Sequence, residues 1–510
     1  MKKRAIFSLF DQKNAVVYAK QLVALGWEII ASKETYDLLK QNNIPVVDIS
    51  HFLKIKDKYP FPPTLHPMME LALTTGQGKS IDFVYITNYP LSKGNDVGGN
   101  TILALAAKGK RIVVFNRKDM GKVVKTLKSN NNEIPPFFRQ QLIDKVYAKI
   151  ARHYTSLIHS VADTEIPEII IGEKFKPLLE GENPYQIPAD IFRRNNKDVL
   201  SLSRFKQISG DLLCYTNTAD FDCILHTMCL LAGAFKKHYG KIPYIAIAAK
   251  HGNPTGLAIN WTFPSVAIKN ALFGNPLAIF GGEVIVNFSI NEKLSKMLIE
   301  DKKRRRLLGN SKWSLDLVVA SDFNQKAVKI LSKSQRLKLL KNKNLINPNL
   351  SRETWAYRMI RGGFLRQPPN NYVLDLNRSD SEFQLPGSNH LDSLIIAWAV
   401  AWTSSHGGNE IAIAKNRMLL AAGGGPSTID ACRIAINRSN ACGYNLQGSV
   451  FAANAFFPFI DAPTELVKAG CVCGLVPKGG RNFGLVKDYF KKHRTKISYL
   501  AEGFRGFCRH

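Results

Sequence analysis

Lys250 and His251 stand side by side in the segment KHGNPTG, directly after the apolar run IPYIAIAA and just before the turn-forming residues Gly252, Asn253, Pro254 and Gly256. A histidine near neutrality takes and returns a proton, and a neighbouring ammonium steadies negative charge developing on an oxygen. At the carboxyl end of a strand such a pair is placed for acid–base chemistry. A Lys-His pair at a strand end also occurs as plain scaffold, and the dipeptide alone does not decide. Two glycine clusters pose a similar choice. Gly423 to Gly425 lie between a strand-like run and a helix expected from Thr428, and NDVGGNT at 95–101 precedes a helix expected to open after Gly98 and Gly99. Backbone amides at either place could cradle an anion, or the glycines could make simple turns. Neither cluster matches a P-loop or a dinucleotide fingerprint. The eight cysteines include no CxxC pair, and Cys471 and Cys473 have no nearby histidine arrangement that completes a zinc site. Reduced cytosolic thiols and no metal are expected.

The elements that must position these residues read as α/β. At 510 residues, 45% apolar and 22% charged, the chain is long enough for several buried cores, about three units of roughly 150 residues by the domain-size prior. The start MKKRAIFSLFDQK reaches Asp11 before an apolar stretch of signal-peptide length has formed, so export is not expected and a cytoplasmic setting is. The longest apolar run, Leu391 to Trp402, is broken by Asp392 and reads as a buried helix rather than a membrane span. Seventy basic against forty acidic residues give a formal charge of +30, which favours anionic partners such as a phosphorylated substrate or a polyglutamylated cofactor. The basic run Lys302 to Arg306 lacks interleaved aromatics and reads as a solvated face rather than a nucleic-acid site. RAIFSLF, WEIIAS, IPVVDIS, FVYITNY and RIVVF read as strands alternating with helices, which implies a mostly parallel sheet over about residues 1–130. A mainly helical connector follows to a boundary near 165, where IPEIIIG is expected to start a new strand. Beyond it, IPYIAIAAK, LAIFGGEVIVNF and LDLVVASDF, then IAIAK, MLLAAGG, SVFAANAFF and CVCGLVP, suggest two similar α/β layers in tandem. The basic segments 300–312 and 333–345 are expected as surface connections, with the split between layers near 345.

An ordered series of motifs resembles the bifunctional purine-biosynthesis family that combines AICAR transformylase with IMP cyclohydrolase, over the whole length. The series runs GENPYQ at 181–186, KHGNPTG, NPLAIFGGEV, RMIRGG at 358–363, LDSLIIAW, NEIAIAK, AFFPFID at 455–461 and the basic end GFRGFCRH. The resemblance implies a methylglyoxal-synthase-like domain over 1–165, followed over 166–510 by two cytidine-deaminase-like α/β subdomains without catalytic zinc. It also implies transfer of a formyl group from 10-formyltetrahydrofolate to the amino group of AICAR or a related imidazole nucleotide, by a homodimer acting on an anionic nucleotide and a folate, with neither nucleic acid nor membrane as partner. Carried over by position, His251 moves the proton, Lys250 positions and steadies charge, and Asn409 orients. Asn183, Phe280, Gly281, Gly282, Arg358 and Arg505 would meet the nucleotide, and Phe457 and Asp461 the folate.

Departures from the family pattern are as specific as the matches. Leu179 and Glu180 stand where the family has arginine and tyrosine, which removes a guanidinium for substrate phosphate. Gly425 and Thr428 replace a glutamine and an arginine, and two residues are inserted before Asn409. In the first domain, Tyr89, Asp96 and Lys108 match cyclohydrolase positions, but Lys33-Glu34 replaces a phosphate-loop glycine pair and Phe61-Pro62-Pro63 stands where a basic pair precedes TLHP. A carboxylate there repels phosphate, which argues against cyclohydrolase activity. The alternatives are a working bifunctional enzyme and an inactive nucleotide-binding or regulatory paralogue.

Overall fold

The computed structural model describes residues 2–55, 61–75, 80–158, 168–194, 197–276, 278–299, 306, 314–376 and 388–508. It divides into two compact units, Met1–Ile171 and Gly172–His510. The boundary expected near 165 and the segment 300–312, apart from Arg306, lie outside the described residues.

The first unit carries strands β1 (Arg4–Leu9), β2 (Glu28–Ala31), β3 (Val46–Asp48), β4 (Phe83–Thr87) and β5 (Ile112–Val114). They form a wholly parallel sheet in the order β3-β2-β1-β4-β5. Helices cover both faces, so the strands are near-continuous apolar runs rather than alternating ones. The helix expected after Gly98 and Gly99 starts earlier, at Val97, because Asp96 Oδ1 accepts the Gly99 amide at 2.8 Å and caps it. The glycines are instead needed for approach: a Cβ at Gly98 would stand 2.7 Å from Thr64 Oγ1, and one at Gly99 2.6 Å from Asn88 Nδ2.

In the second unit β6 (Glu173–Pro177) and β7 (Asp190–Arg193) pair as a small ladder, so the strand expected at IPEIIIG begins only where that segment ends. The remaining strands are β8 (Lys206–Ser209), β9 (Tyr244–Lys250), β10 (Asn253–Asn260), β11 (Glu283–Val286), β12 (Leu317–Ala320), β13 (Lys338–Lys341), the hairpin β14 (Ala356–Ile360) and β15 (Gly363–Gln367), β16 (Asn409–Lys415), β17 (Met418–Gly425), β18 (Ser449–Ala453), β19 (Cys471–Pro477) and β20 (Lys496–Leu500). Eleven of them make one sheet, β20-β19-β18-β16-β17-β10-β9-β11-β12-β13-β8. The two expected layers are therefore one continuous sheet, joined where β10 meets β17 antiparallel.

Its halves repeat each other. Each has a long apolar helix (Tyr215–Tyr239 or Ser388–Thr403), a hairpin (β9–β10 or β16–β17), and then three parallel strands alternating with helices. Both long helices lie on one face in a shared core, with Ile245, Ile247, Ala249, Ala412 and Ala414 pointing to them. The intervening residues Ala246, Ala248, Ile411 and Ile413 point to the opposite face, where each half has its own core. Tyr215–Tyr239 is long and apolar enough to cross a membrane, but 61% of its most apolar window is buried inside the protein. The segment 333–345 is not merely a surface connection: it contains β13, where Leu339 and Leu340 are buried and even Lys338 is only 6% exposed.

Candidate active site

β9 ends on Lys250 and β10 begins on Asn253, with Lys250 and Asn253 in register, so His251 and Gly252 are the whole turn. Their φ values are 51° and 69°. Positive φ at both positions is the two-residue hairpin geometry that matches strand twist, and it costs a histidine more than a glycine. The strained residue is exposed at the strand end, a placement in keeping with function. Asn253 is buried, and its Nδ2 holds the His251 carbonyl at 2.9 Å.

The Phe280-Gly281-Gly282 turn comes against this strand end. A Cβ at Gly282 would stand 2.4 Å from the Ala249 carbonyl oxygen, and Gly281 has φ 66°. Only glycines allow that approach, and it brings the Phe280 carbonyl to accept a hydrogen bond from Lys250 Nζ. The Phe280 ring is 42% exposed. Next in sequence, Glu283 opens β11 beside Ala249 and is 3% exposed. Its Oε1 accepts from Asn217 Nδ2 at 3.2 Å, while Oε2 is buried without a hydrogen-bond partner. Burial, and then the charge of Asp220, push this carboxyl up to about 8, with Asp316 adding to the shift and Asn217 and Lys250 opposing it. The sequence reading missed Glu283; its signal is an acid at the head of the apolar run EVIV.

Asn409, in the other half, opens β16 and donates from Nδ2 to the Pro426 carbonyl at 2.9 Å. The chain reaches it through Ser405, whose amide donates to Asn253 Oδ1 at 2.8 Å. Asn253 thus ties the Lys250–His251 turn to the segment carrying Asn409. Gly423 to Gly425 lie within β17, paired with Asn409 to Ile411, which replaces the anion-cradle reading with a packing one. A Cβ at Gly423 would stand 2.3 Å from the Ala431 carbonyl oxygen of the following helix. Asn454 accepts the Glu410 amide at 2.8 Å and, through its own carbonyl, the Gly506 amide at 2.8 Å. That docks the tail bearing Arg505, whose guanidinium lies 4.8 Å from the Phe456 ring centre.

Other expected residues are placed differently. Phe457 is 2% exposed and packed among Phe451 and Phe490, so its ring belongs to the core. Its neighbours Phe456 and Phe459 face outward or partly so, and Asp461 is exposed at a helix start. Asn183 is bonded within its own loop to Gln186 Oε1 at 2.8 Å. That loop docks on the start of the Tyr215–Tyr239 helix, where the Tyr215 amide donates to the Glu180 carbonyl at 3.1 Å, and the exposed Leu179 offers no charge. Arg358 lines a cavity of 720 Å³ with His226, Tyr357 and Phe507. Burial pushes the Cys471 and Cys473 thiols up to about 11 and about 12, and among the described residues no cluster of His, Cys, Asp or Glu is arranged to hold a metal.

In the first unit, Tyr89 Oη donates to the Asn95 carbonyl at 3.0 Å beside Asp96. Lys108 is the last residue of the Val97–Lys108 helix and sits 3.6 Å from Glu70. A rise of about 1.5 Å per residue separates it from Asp96 by roughly 18 Å of backbone, so the three expected residues do not converge. Lys149 and His153 come instead from the Pro136–Thr155 helix. Lys149 Nζ donates to Asn100 Oδ1 at 3.0 Å, and His153 Nε2 lies 2.7 Å from Asn95 Oδ1. Burial lowers the pKa of both. Their spacing of four on one helix is a signal the sequence reading passed over.

A parallel-sheet unit followed by a duplicated mixed-sheet unit, with a lysine-histidine hairpin turn at the strand ends, defines a two-unit α/β protein of the methylglyoxal-synthase-like plus transformylase-like class. The MGS-like domain family matches residues 14–108, and the AICARFT/IMPCHase bienzyme family matches residues 106–438. The bifunctional purine biosynthesis protein PurH of Thermoanaerobacter sp. (strain X514) is 30% identical over 99% of this chain and 100% of its own length. Those of Caldicellulosiruptor saccharolyticus and Fusobacterium nucleatum subsp. nucleatum are 29% and 28% identical over the same shares. The chain belongs to the AICARFT/IMPCHase bienzyme family.

Proposed function

We propose that the chain is a folate-dependent formyltransferase that moves a formyl group from 10-formyltetrahydrofolate to the amino group of AICAR or a related imidazole nucleotide. One observation carries the reading: Asn253 joins the turn that presents Lys250 and His251 to the segment that presents Asn409. His251, exposed on a strained turn, accepts the proton released by the attacking amine. Lys250 and Asn409 hold the oxygen on which charge develops in the tetrahedral intermediate. Phe280, Gly281 and Gly282 form the rim against which the nucleotide lies, Arg505 reaches its phosphate, and Arg358, Asn183 and Asp461 serve the outer parts of the two substrates. The formal charge of +30 draws in the anionic nucleotide and the folate. We place the enzyme in the cytoplasm as a homodimer, with domains 1–165 and 166–510.

The first unit is assigned no cyclohydrolase activity. Lys108 is spent at the far end of its helix, and Glu34 puts a carboxylate into the first turn of the Lys33–Gln41 helix. Incubation with 10-formyltetrahydrofolate and AICAR, following tetrahydrofolate and inosine monophosphate separately, tests both statements. Tetrahydrofolate with no ring-closed product is expected. Both products together mean a working bifunctional enzyme, and neither means an inactive paralogue or a different acceptor.

A further inference from the structure

The segment around Asn409 carries a second acid–base pair. His406 Nδ1 lies 2.8 Å from Glu410 Oε2, and the Glu410 side chain is 1% exposed against 17% for His406. The other carboxylate oxygen accepts the backbone amides of His406 and of Gly407, the latter at 3.1 Å. Three donors on one buried carboxylate lock its orientation, and with it that of the imidazole. A carboxylate can only accept, so Nδ1 carries a hydrogen and Nε2 is the atom left for chemistry.

β17 is cut to fit this pair. A Cβ at Gly424 would stand 2.4 Å from Glu410 Oε1 and 2.6 Å from His406 Cβ, and one at Gly407 would stand 2.8 Å from Gly425 Cα. Of the three glycines that read as an anion cradle, Gly424 is thus room for the diad. The preceding residue, Ser405, bonds to the same Asn253 that holds the His251 carbonyl, and Asn409 follows three residues later. β10 presents Asn253 toward this segment, β17 presents Gly424 and the segment after β18 presents Asn454, all uncharged, so Glu410 is the charged partner of His406 among the described residues.

We propose that His406 is a second proton-transfer group of the formyl-transfer site, with His251 acting on the amine and His406 on the leaving nitrogen. The proposal rests on the formyl-transfer reading. The acceptor nitrogen forms a bond to the formyl carbon and gives one proton to His251. The bond from that carbon to N10 of the folate breaks with its electron pair going to N10, which receives one proton from His406. One proton passing from His251 to His406 through solvent restores the start, and nothing is oxidised or reduced. Glu410 is a positioning residue that fixes the His406 ring.

The test measures initial rates for the full chain with 10-formyltetrahydrofolate and AICAR between pH 6 and 9.5, comparing wild type with His406→Gln, Glu410→Gln and His251→Ala. For His406→Gln we expect a kcat about 100-fold lower, KM for both substrates nearly unchanged, an unchanged melting temperature, and loss of the alkaline fall in kcat that a required acid produces. Glu410→Gln is expected to keep partial activity, with kcat lowered less than in His406→Gln and KM for both substrates nearly unchanged. An active wild type with His406→Gln matching it in kcat and pH profile overturns the proposal alone. A wild type without formyl transfer overturns the reading on which it rests, and the proposal with it.

Discussion

Each half of the large sheet carries one hairpin, and in each the first strand ends on a lysine whose Nζ bonds a backbone carbonyl in the loop leading to the next strand. Lys250 bonds Phe280, and Lys415 bonds Gln447 at 2.5 Å and Asn445 at 3.2 Å. Both turns are two residues long with positive φ, His251-Gly252 in one and Asn416-Arg417 in the other. Beyond that the halves diverge. Arg417 donates to the buried Asp392 at 2.6 Å, which also accepts from Trp261 Nε1 at 3.0 Å, whereas the His251 side chain is exposed. Where β18 opens on Ser449, bonded to Cys471, β11 opens on Glu283 with an unpartnered oxygen. The lysine-to-carbonyl bond is therefore common to both halves, and the two turns differ in what surrounds it.

The sharpest break in the comparison is at the turns. His251→Ala is expected to lower formyl transfer by about 100- to 10,000-fold, with its melting temperature nearly unchanged because alanine keeps the Cβ and with it the positive-φ strain. Asn416→Ala at the matching turn position should leave kcat/KM unchanged. Equal losses in both variants would mean that hairpin geometry rather than the imidazole is what matters. Next in size is Asp392→Asn, which removes the buried charge paired with the partly exposed Arg417. Breaking a buried pair leaves the partner uncompensated, so chemical denaturation should show a loss of about 3 kcal/mol, with activity per folded molecule retained.

Much of this scaffold was legible because fully buried strands advertise themselves as apolar runs: WEIIAS, FVYITNY, IPYIAIAAK and CVCGLVP all became strands. The same burial hid how the two halves join. Strands covered on both faces carry no alternation to fix their register or partner, so one eleven-stranded sheet read as two layers. The Tyr215–Tyr239 helix was missed because Asp220 and Asp222 interrupt its apolar pattern near the start, and tertiary packing decides its fate. At the site, a turn after Lys250 and His251 was readable from turn chemistry, but it closes on His251-Gly252, and Asn253, Pro254 and Gly256, read as turn formers, lie in β10. Glu283 was not readable, because its surroundings come from Asn217, Asp220 and Asp316, which only the fold brings together. His406 and Glu410 sit four apart at a loop-to-strand junction, where helical spacing rules do not apply.

Glu283 gives a pH-dependent contrast between the halves. Its folded-state pKa, about 8, lies above the ordinary carboxyl value of 4.5, so the folded protein keeps a proton that the unfolded chain has lost. Stability from this group is therefore complete below pH 4.5, falls as pH rises toward 8, and levels off above it. Glu283→Gln should change little at pH 4 and gain on the order of 2 kcal/mol above pH 8, read as a rise in denaturation midpoint. A variant less stable than wild type at high pH would show that the ionised form is held by an attraction stronger than its burial cost.

The smallest effect expected is the most discriminating for the lysines. Lys415→Met keeps the aliphatic stem and removes two carbonyl bonds at the strand end, a loss of about 1 kcal/mol, with formyl transfer unchanged. Lys250→Met removes the equivalent bond at similar cost in stability, but also takes the ammonium from beside Glu283 and the turn, and kcat should fall about 100-fold. If Lys250→Met loses only stability and keeps kcat, the lysine is scaffold in both halves. The chemical difference between the hairpins then contracts to His251 and the acid–base pair His406–Glu410.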